Sequence, residues 1–463
     1  MSRSVQLSGV FQSPRVKGHL LRILGVGFGI AVILGGTIGS GILRTPGEVA
    51  GRLHSPTLIL AVWLLGGLYA FLGTVTVVEL GTMLPVAGGW YVYSRRSMGA
   101  YAGFAVGCSD WMMQTVAVSY LAVAFGEFAT QLFPQLAGHV KLTGLALLLV
   151  LMVLNWIGLR SGSRTQEISS FLKAMALVIF VGACFLAKPS GMVPGTPPGA
   201  VLPRAGGLFV ALVLALQAVI VTYDGWYQAI YFTEEDKDPT KSLPRSSLAA
   251  AFACIAIFLL VNFALVHVLP MSQLSTSQMP LADAASAVLG ARGREFVLLI
   301  SLVTVVSTIN AIVLTTPRIL FAIGRDGLMP AWLTSVNRGG TPTAALFTGT
   351  VVSAILVISG TFDTLIGIAS ILFVMVYLSG FISIVLLRRR EPQLNRPFKA
   401  WFYPWGNLLV LAASAAFLVG AVIADLKEAL FTLIFVALTV PAYVVVIRLN
   451  NAAAVQESQS PTT

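Results

Sequence analysis

The chain has 463 residues, 57% of them hydrophobic and 10% charged, with a formal net charge of +11 and mean hydropathy +0.87. A soluble domain carries roughly 25% charged residues, so this composition excludes a soluble globular protein and defines an all-α membrane protein of many helices. The basic residues lie scattered in short loops and form no domain-sized patch, which excludes nucleic acid as the partner. Cys108, Cys184 and Cys254 all fall in apolar segments and make no CxxC pair, which argues against a disulfide framework and a metal centre. The first 20 residues are polar and basic, and the apolar run that follows is too long for a signal-peptide core.

Twelve spans follow, at 23–51, 57–84, 90–133, 142–159, 166–187, 207–233, 245–270, 294–323, 342–360, 364–388, 404–424 and 428–449. The third is long enough to tilt or bend. Twenty of the 29 Lys and Arg fall on the side of the N-terminus, seven on the other side, and two, Arg44 and Lys173, inside the membrane. The imbalance predicts cytoplasmic N- and C-termini. The organisation expected is a cytoplasmic tail (1–22), a first set of five spans (23–187), a second (207–388), two final spans (404–449) and a disordered tail (450–463).

Span one carries its weakest stretch near its midpoint, "LGGTIGSGIL" from Leu34 to Leu43. Glycine inside a helix costs about 1 kcal/mol relative to alanine, and lipid offers no water to a loosened backbone. Span six contains "VTYDGWYQAIYFTEE", Val221 to Glu235, with an acid and a glycine where a uniform apolar run is expected. Five spans separate the start of one set from the start of the next, so the two sets enter from opposite sides. Two interrupted helices at equivalent positions of a five-plus-five inverted repeat point to a transport site at the membrane midplane. If helix one unwinds at Thr37–Gly41, its outer half presents free N–H groups and a positive dipole end to a carboxylate. Its inner half presents free carbonyls to an ammonium. A zwitterionic amino acid fits such a pair of half-helices. The competing reading of "GTIGSG" is a small-residue packing face.

In span five, "RTQEISSFLKAMAL" puts Lys173 about two turns into the helix, seven residues past Gln166. A charge at such depth costs at least about 2.5–3.5 kcal/mol and faces the protein interior, unless the side chain snorkels to the surface.

The motifs resemble, in order, those of a known family. "GGTIGSGIL" followed by Thr45-Pro46 is similar to the first-helix signature of the amino acid–polyamine–organocation superfamily. "VELGTMLPVAGGWYVYSRRSMG" (Val78–Gly99) resembles its second-to-third helix junction. "YDGWYQAIYFTEEDKDPTKSLPRS" (Tyr223–Ser246) resembles its sixth helix and following loop, and "PRILFAIGRDGLMP" (Pro317–Pro330) the end of its eighth. The spacing of the last two is similar to the L-type amino acid transporter branch. The matches cover about 300 residues.

The resemblance implies twelve spans, the inverted-repeat fold, and an amino acid held where helices one and six unwind. The amides of Gly39, Ser40 and Gly41 are then expected to hold the carboxylate, and the carbonyls of Thr37, Ile38, Val221 and Thr222 the amine. Sodium-coupled relatives place an ion between helices one, five and eight. Several sodium-independent relatives have a lysine there, and Lys173 matches it. Its ammonium is expected near the carbonyl of Gly35, with Thr304, Ser307 and Thr308 on helix eight completing the shell. The function implied is sodium-independent amino acid transport by alternating access, in exchange mode. The alternative is a proton-coupled amine, polyamine or cationic amino acid carrier.

Two residues depart from the family pattern. Asp224 replaces the glycine of animal L-type members. It either pairs with the substrate amine or a cationic side chain, or caps the half-helix "GWYQAI". Arg44 either reads an anionic group at the outer vestibule or pairs with Glu48 at i, i+4. Tyr223, Trp226 and Tyr227 either close over a substrate or pack. Glu79 reads as structural, and His54 and His267 form no metal pair.

The spans contain no HExxH, GxSxG or clustered metal ligands, which argues against an enzyme and against a cofactor. A channel is disfavoured for want of a repeated filter; a sensor built on a transporter fold stays open. Animal L-type light chains join a glycoprotein through a cysteine between helices three and four. The loop Phe133–Lys141 has none, so no covalent heavy subunit is expected. The partners left are the amino acid and the lipid bilayer, and the compact loops fit a prokaryotic cytoplasmic membrane.

Overall fold

The computed structural model describes residues 19–187, 205–360, 362–424 and 426–459. Most of the expected N-terminal tail and the last four residues lie outside them.

The first span is two helices, α1 (Val26–Thr37) and α2 (Gly41–Leu53), bent by 45° at Ile38–Ser40. Then come α3 (Pro56–Met83), α4 (Trp90–Met98), α5 (Ala100–Leu132), α6 (Val140–Ile157) and α7 (Leu159–Leu186). After α8 (Ala205–Thr222) the chain passes through turns into a 3-10 helix, Gln228–Phe232, and on to α9 (Pro239–Val268). The rest are α10 (Met271–Leu274), α11 (Pro280–Leu289), α12 (Ala291–Arg325), α13 (Thr343–Ser359), α14 (Phe362–Arg390), α15 (Trp405–Ala424) and α16 (Leu426–Gln459). Nine of these, or ten with α1 and α2 as one bent span, are long and apolar enough to cross a bilayer. The chain is a multi-pass membrane protein. Two of the twelve expected spans, at α8 and α13, are apolar but shorter.

Local chemistry explains where elements start and stop. Gly99, at φ +101°, splits the expected third span into α4 and α5, a backbone angle that disfavours a side chain. Proline opens α3 and α9, where its missing N–H is not needed. Just before α9, the Thr240 hydroxyl and Lys241 hold the Asp238 carboxyl below the usual carboxylate range. Helix α7 begins at Leu159, not 166, so Lys173 lies about four turns in by helix geometry. Helix α16 runs on to Gln459, past the expected disorder at 450, because "AAAVQ" favours helix and no Pro or Gly falls between Asn450 and Gln459.

Helices α5 and α12 are the most enclosed spans and pack along each other, while α15 and α16 are largely peripheral. Helix α1 and the 3-10 helix, one from each break, both pack against α12. A parallel bridge ties the entry of α1 to the exit of the sixth span: Leu24 N–H donates to Glu235 O (3.0 Å) and Lys237 N–H to Leu24 O (3.1 Å).

Candidate binding site at two helix breaks

The two breaks touch. Gly225 has φ +104°, and a Cβ built on it would meet Gly36 C at 2.6 Å and Thr37 N at 2.7 Å. Only glycine lets the two backbones approach this closely. Around the contact lies a cavity of about 460 Å³. Thr37, Gly39, Ser40, Gly41, Val221, Thr222 and Asp224 line it; Ile38, Tyr223 and Trp226 do not. It runs along α2 to Glu48 and Arg52 and adjoins a second hollow of about 880 Å³ lined by Arg44, Asp283 and Arg294 among others.

Much of the backbone at the breaks is already engaged. The Gly39 N–H donates to Thr37 O (2.9 Å) and the Asp224 N–H to Val221 O (3.1 Å). Ser40 and Gly41 open α2, where helix geometry leaves the first N–H groups without intrahelical acceptors. A Cβ on Gly41 would meet Thr222 Cγ2 at 2.9 Å, so this glycine also serves helix packing. A Cβ on Gly39 would find only ordinary contacts, the nearest being Thr308 at 3.6 Å.

Lys173 is fully buried and does not snorkel. Its Nζ donates to Gly35 O and Ile38 O, both at 2.6 Å, and the single Thr308 hydroxyl hydrogen has three acceptors in reach, Gly35 O (3.0 Å), Ile38 O (3.3 Å) and its own helix's Thr304 O (3.0 Å). The carbonyl of Ile38 therefore belongs to this cluster. Ser307 faces elsewhere, bonding Ser170 Oγ (3.2 Å) and Gln166 Nε2 (3.4 Å). Thr304 Oγ1 is buried without a hydrogen bond.

At the second break, Asp224 accepts hydrogen bonds from the Tyr377 hydroxyl, the Gly225 N–H and the Tyr227 hydroxyl. It faces the cavity and caps a tight turn. Tyr223 packs between Trp63 and Phe258 and donates to Trp63 O (3.2 Å). Trp226 packs among Trp90, Tyr227, Tyr377 and Phe381. The expected Arg44–Glu48 pair does not form: Arg44 reaches Glu127 on α5 (3.3 Å) and the Phe128 ring, while Glu48 is taken by Arg52 (2.8 Å). Glu79 is buried against Arg388 and Arg396.

Sequence reasoning did not single out Gln228, Thr45 or Tyr120, all cavity residues. Gln228 is buried, and its Oε1 has no hydrogen-bond partner. Its signal is a neutral amide one turn past the break in an apolar run.

The far end of the bundle is closed by ion pairs. Arg318 grips both oxygens of Glu235 (2.6 and 2.8 Å) with neither side chain exposed by more than 1%. Arg325 holds Glu234 (2.8 Å), and Arg95 holds Asp326.

Fold and site together define a multi-pass membrane transporter, with a polar cavity between helix breaks. The amino acid permease family model matches residues 29–445, and the chain belongs to that family. It is 26% identical to the serine/threonine exchanger SteT of Bacillus subtilis (strain 168) over 429 residues, 92% of this chain and 96% of the relative. It is 28% identical to the human Asc-type amino acid transporter 1 over 399 residues, 82% of this chain and 75% of the relative. It is 27% identical to the human b(0,+)-type amino acid transporter 1 over 399 residues, 84% and 80% of the two chains. These are transporters, and so is this chain.

Proposed function

We propose that the chain is a sodium-independent amino acid exchanger working by alternating access, with the substrate held between the breaks of helices one and six. The observation that carries this reading is the contact of the two breaks, Gly225 on Gly36–Thr37, beside one cavity that residues of both breaks line. The first N–H groups of α2 receive the carboxylate, and Thr222 O with Asp224 receives the amine. Gly39 gives up its bond to Thr37 as the substrate enters. Twelve spans in two inverted sets, 23–187 and 207–388, followed by helices 11 and 12 at 404–449, are the matching architecture, with α8 and α13 crossing as short spans. Both termini are cytoplasmic, and the cavity opens outward.

Sodium independence is supported by the Lys173 ammonium, a cation already bonded to two helix-one carbonyls together with Thr308. Small polar amino acids are the first substrates to test, because SteT is a serine/threonine exchanger and the unpartnered Gln228 Oε1 accepts a hydrogen bond. The carrier works without a covalently attached heavy subunit. Asp224 in the cavity favours a second reading, a carrier of amines, polyamines or cationic amino acids.

Uptake of labelled amino acids and putrescine into proteoliposomes, with sodium replaced by choline and with or without internal substrate, tests both. Trans-stimulated serine or threonine uptake in choline is the expected result. Strict sodium dependence would overturn sodium independence, uptake indifferent to internal substrate would overturn exchange, and putrescine or arginine as the favoured substrate would select the second reading.

A further inference from the structure

Among the described residues five carboxylates lie deep in the fold, and four have evident partners. Glu79 has Arg388 and Arg396, Glu235 has Arg318, and Asp326 has Arg95. Asp224 has three donors and opens on the cavity. Asp110, on α5, is fully buried, and among the described residues no Lys, Arg or His pairs with it.

Its partners are the Tyr231 hydroxyl and the Gln114 amide. Tyr231 Oη sits 2.9 Å from both carboxyl oxygens. One hydroxyl hydrogen cannot serve two oxygens well, and a proton on the carboxyl itself would complete the second contact. Burial without a cation favours the same neutral form.

The cluster reaches the cavity. Gln114 Nε2 donates to Tyr227 Oη at 3.4 Å, and Tyr227 bonds Asp224. The other charged or titratable groups on the surrounding elements are engaged elsewhere or neutral: Arg318 of α12 by Glu235, Arg95 of α4 by Asp326, Tyr377 of α14 by Asp224, and Tyr69 of α3 by Ser414. Asp224 acts on Asp110 and Tyr227 through space.

We propose that Asp110 is a proton site that fills and empties with the transport cycle, so that net amino acid movement carries one proton in the same direction. This rests on the alternating-access reading. Tyr231 belongs to the 3-10 helix of the second break, whereas Asp110 belongs to the enclosed α5. The seal residues Glu234 and Glu235 follow that 3-10 helix directly. Opening the sealed end draws Tyr231 away from Asp110 and admits water. The carboxyl then gives its proton to that water, and it regains one from cavity water when the cavity side is open. In exchange the carboxyl takes a proton back from the same side before the loaded carrier returns, so no net proton moves.

Two measurements on the full-length protein test this. In infrared spectra of the protein in nanodiscs, the wild type at neutral pH should show the carbonyl stretch of a buried carboxylic acid, and Asp110→Asn should remove it. In proteoliposomes containing a pH-sensitive dye, held at zero membrane potential, L-serine uptake should acidify the lumen. An outside-acid gradient should give about tenfold accumulation per pH unit. Asp110→Asn should lose both while serine–serine exchange at equal pH stays within about twofold of wild type, a difference under 0.5 kcal/mol. A wild type lacking the carboxylic acid band, or an Asp110→Asn protein that keeps it, would overturn the proposal. A wild type that exchanges serine but shows no net serine uptake with luminal acidification would overturn it too, yet leave the exchanger reading standing. Absence of any amino acid exchange would instead strike the exchanger reading, and the infrared result would still decide the proton site.

Discussion

The two helix breaks solve one problem by opposite means. A broken helix inside a membrane leaves backbone groups that lipid cannot satisfy. The break in helix one is built of small residues, and its loose carbonyls are satisfied from outside, by Lys173 and Thr308. The break in helix six is packed with large ones. Tyr223, Trp226 and Tyr227 wedge it between α3, α4 and α14, and Asp224 gathers the donors of its own turn. The first break is thus open on its cavity face and held by a few polar bonds. The second is held by an aromatic cluster. Gly225 is where one touches the other.

The largest effect is expected from forcing the two apart. Gly225→Ala puts a Cβ into the Gly36–Thr37 peptide from a left-handed backbone, a combined strain and overpacking cost of roughly 2–6 kcal/mol. The melting temperature of the purified protein should fall sharply and transport should vanish. A wild-type melt would show that the breaks do not bear on each other.

Next comes removal of the external support at break one. Lys173→Met keeps most of the volume but withdraws two hydrogen bonds from buried carbonyls, at about 1–3 kcal/mol for each group left unsatisfied. Thr308 can still donate to one of the two carbonyls, so folding should survive with a lowered melt. Uptake in choline medium should drop at least about tenfold, a loss of 1.4 kcal/mol or more. Wild-type uptake would separate this lysine from the cycle.

Gly39→Ala sharpens the contrast within break one. The structure has room for this Cβ, so the melt should be unchanged. The added methyl stands beside the amides proposed to bind carboxylate, and affinity in a scintillation-proximity assay should fall about tenfold, or 1.4 kcal/mol. Unchanged affinity would move the carboxylate away from Gly39. Gly41 is the poorer probe, because its Cβ would strike Thr222.

The smallest effect should come from break six. Tyr377→Phe removes one of three donors to Asp224 and leaves the aromatic packing, so stability should change by about 0.5–1.5 kcal/mol. The Michaelis constant for substrate should shift about two- to threefold at unchanged maximal rate, consistent with a change below 1 kcal/mol. A large fall in maximal rate would mean that this contact gates the cavity.

The sequence by itself determined much of this. Charge scarcity and apolar runs declare the membrane, because a bilayer is a solvent with a single strong preference. Glycines in span one and Asp224-Gly225 in span six mark the weak points, because helix-breaking chemistry is local. The depth of Lys173 is likewise local information. Which partner each group takes is not. Arg44 had an i, i+4 partner in Glu48, and the fold brought it within reach of Glu127 on α5 instead. The Ile38 carbonyl went to Lys173, and Trp226 turned into an aromatic cluster away from the cavity. Asp110 and Tyr231 stand far apart in the chain, so only tertiary structure joins them. A hydrogen bond reads distance in space, and sequence spacing fixes that distance only within one helix.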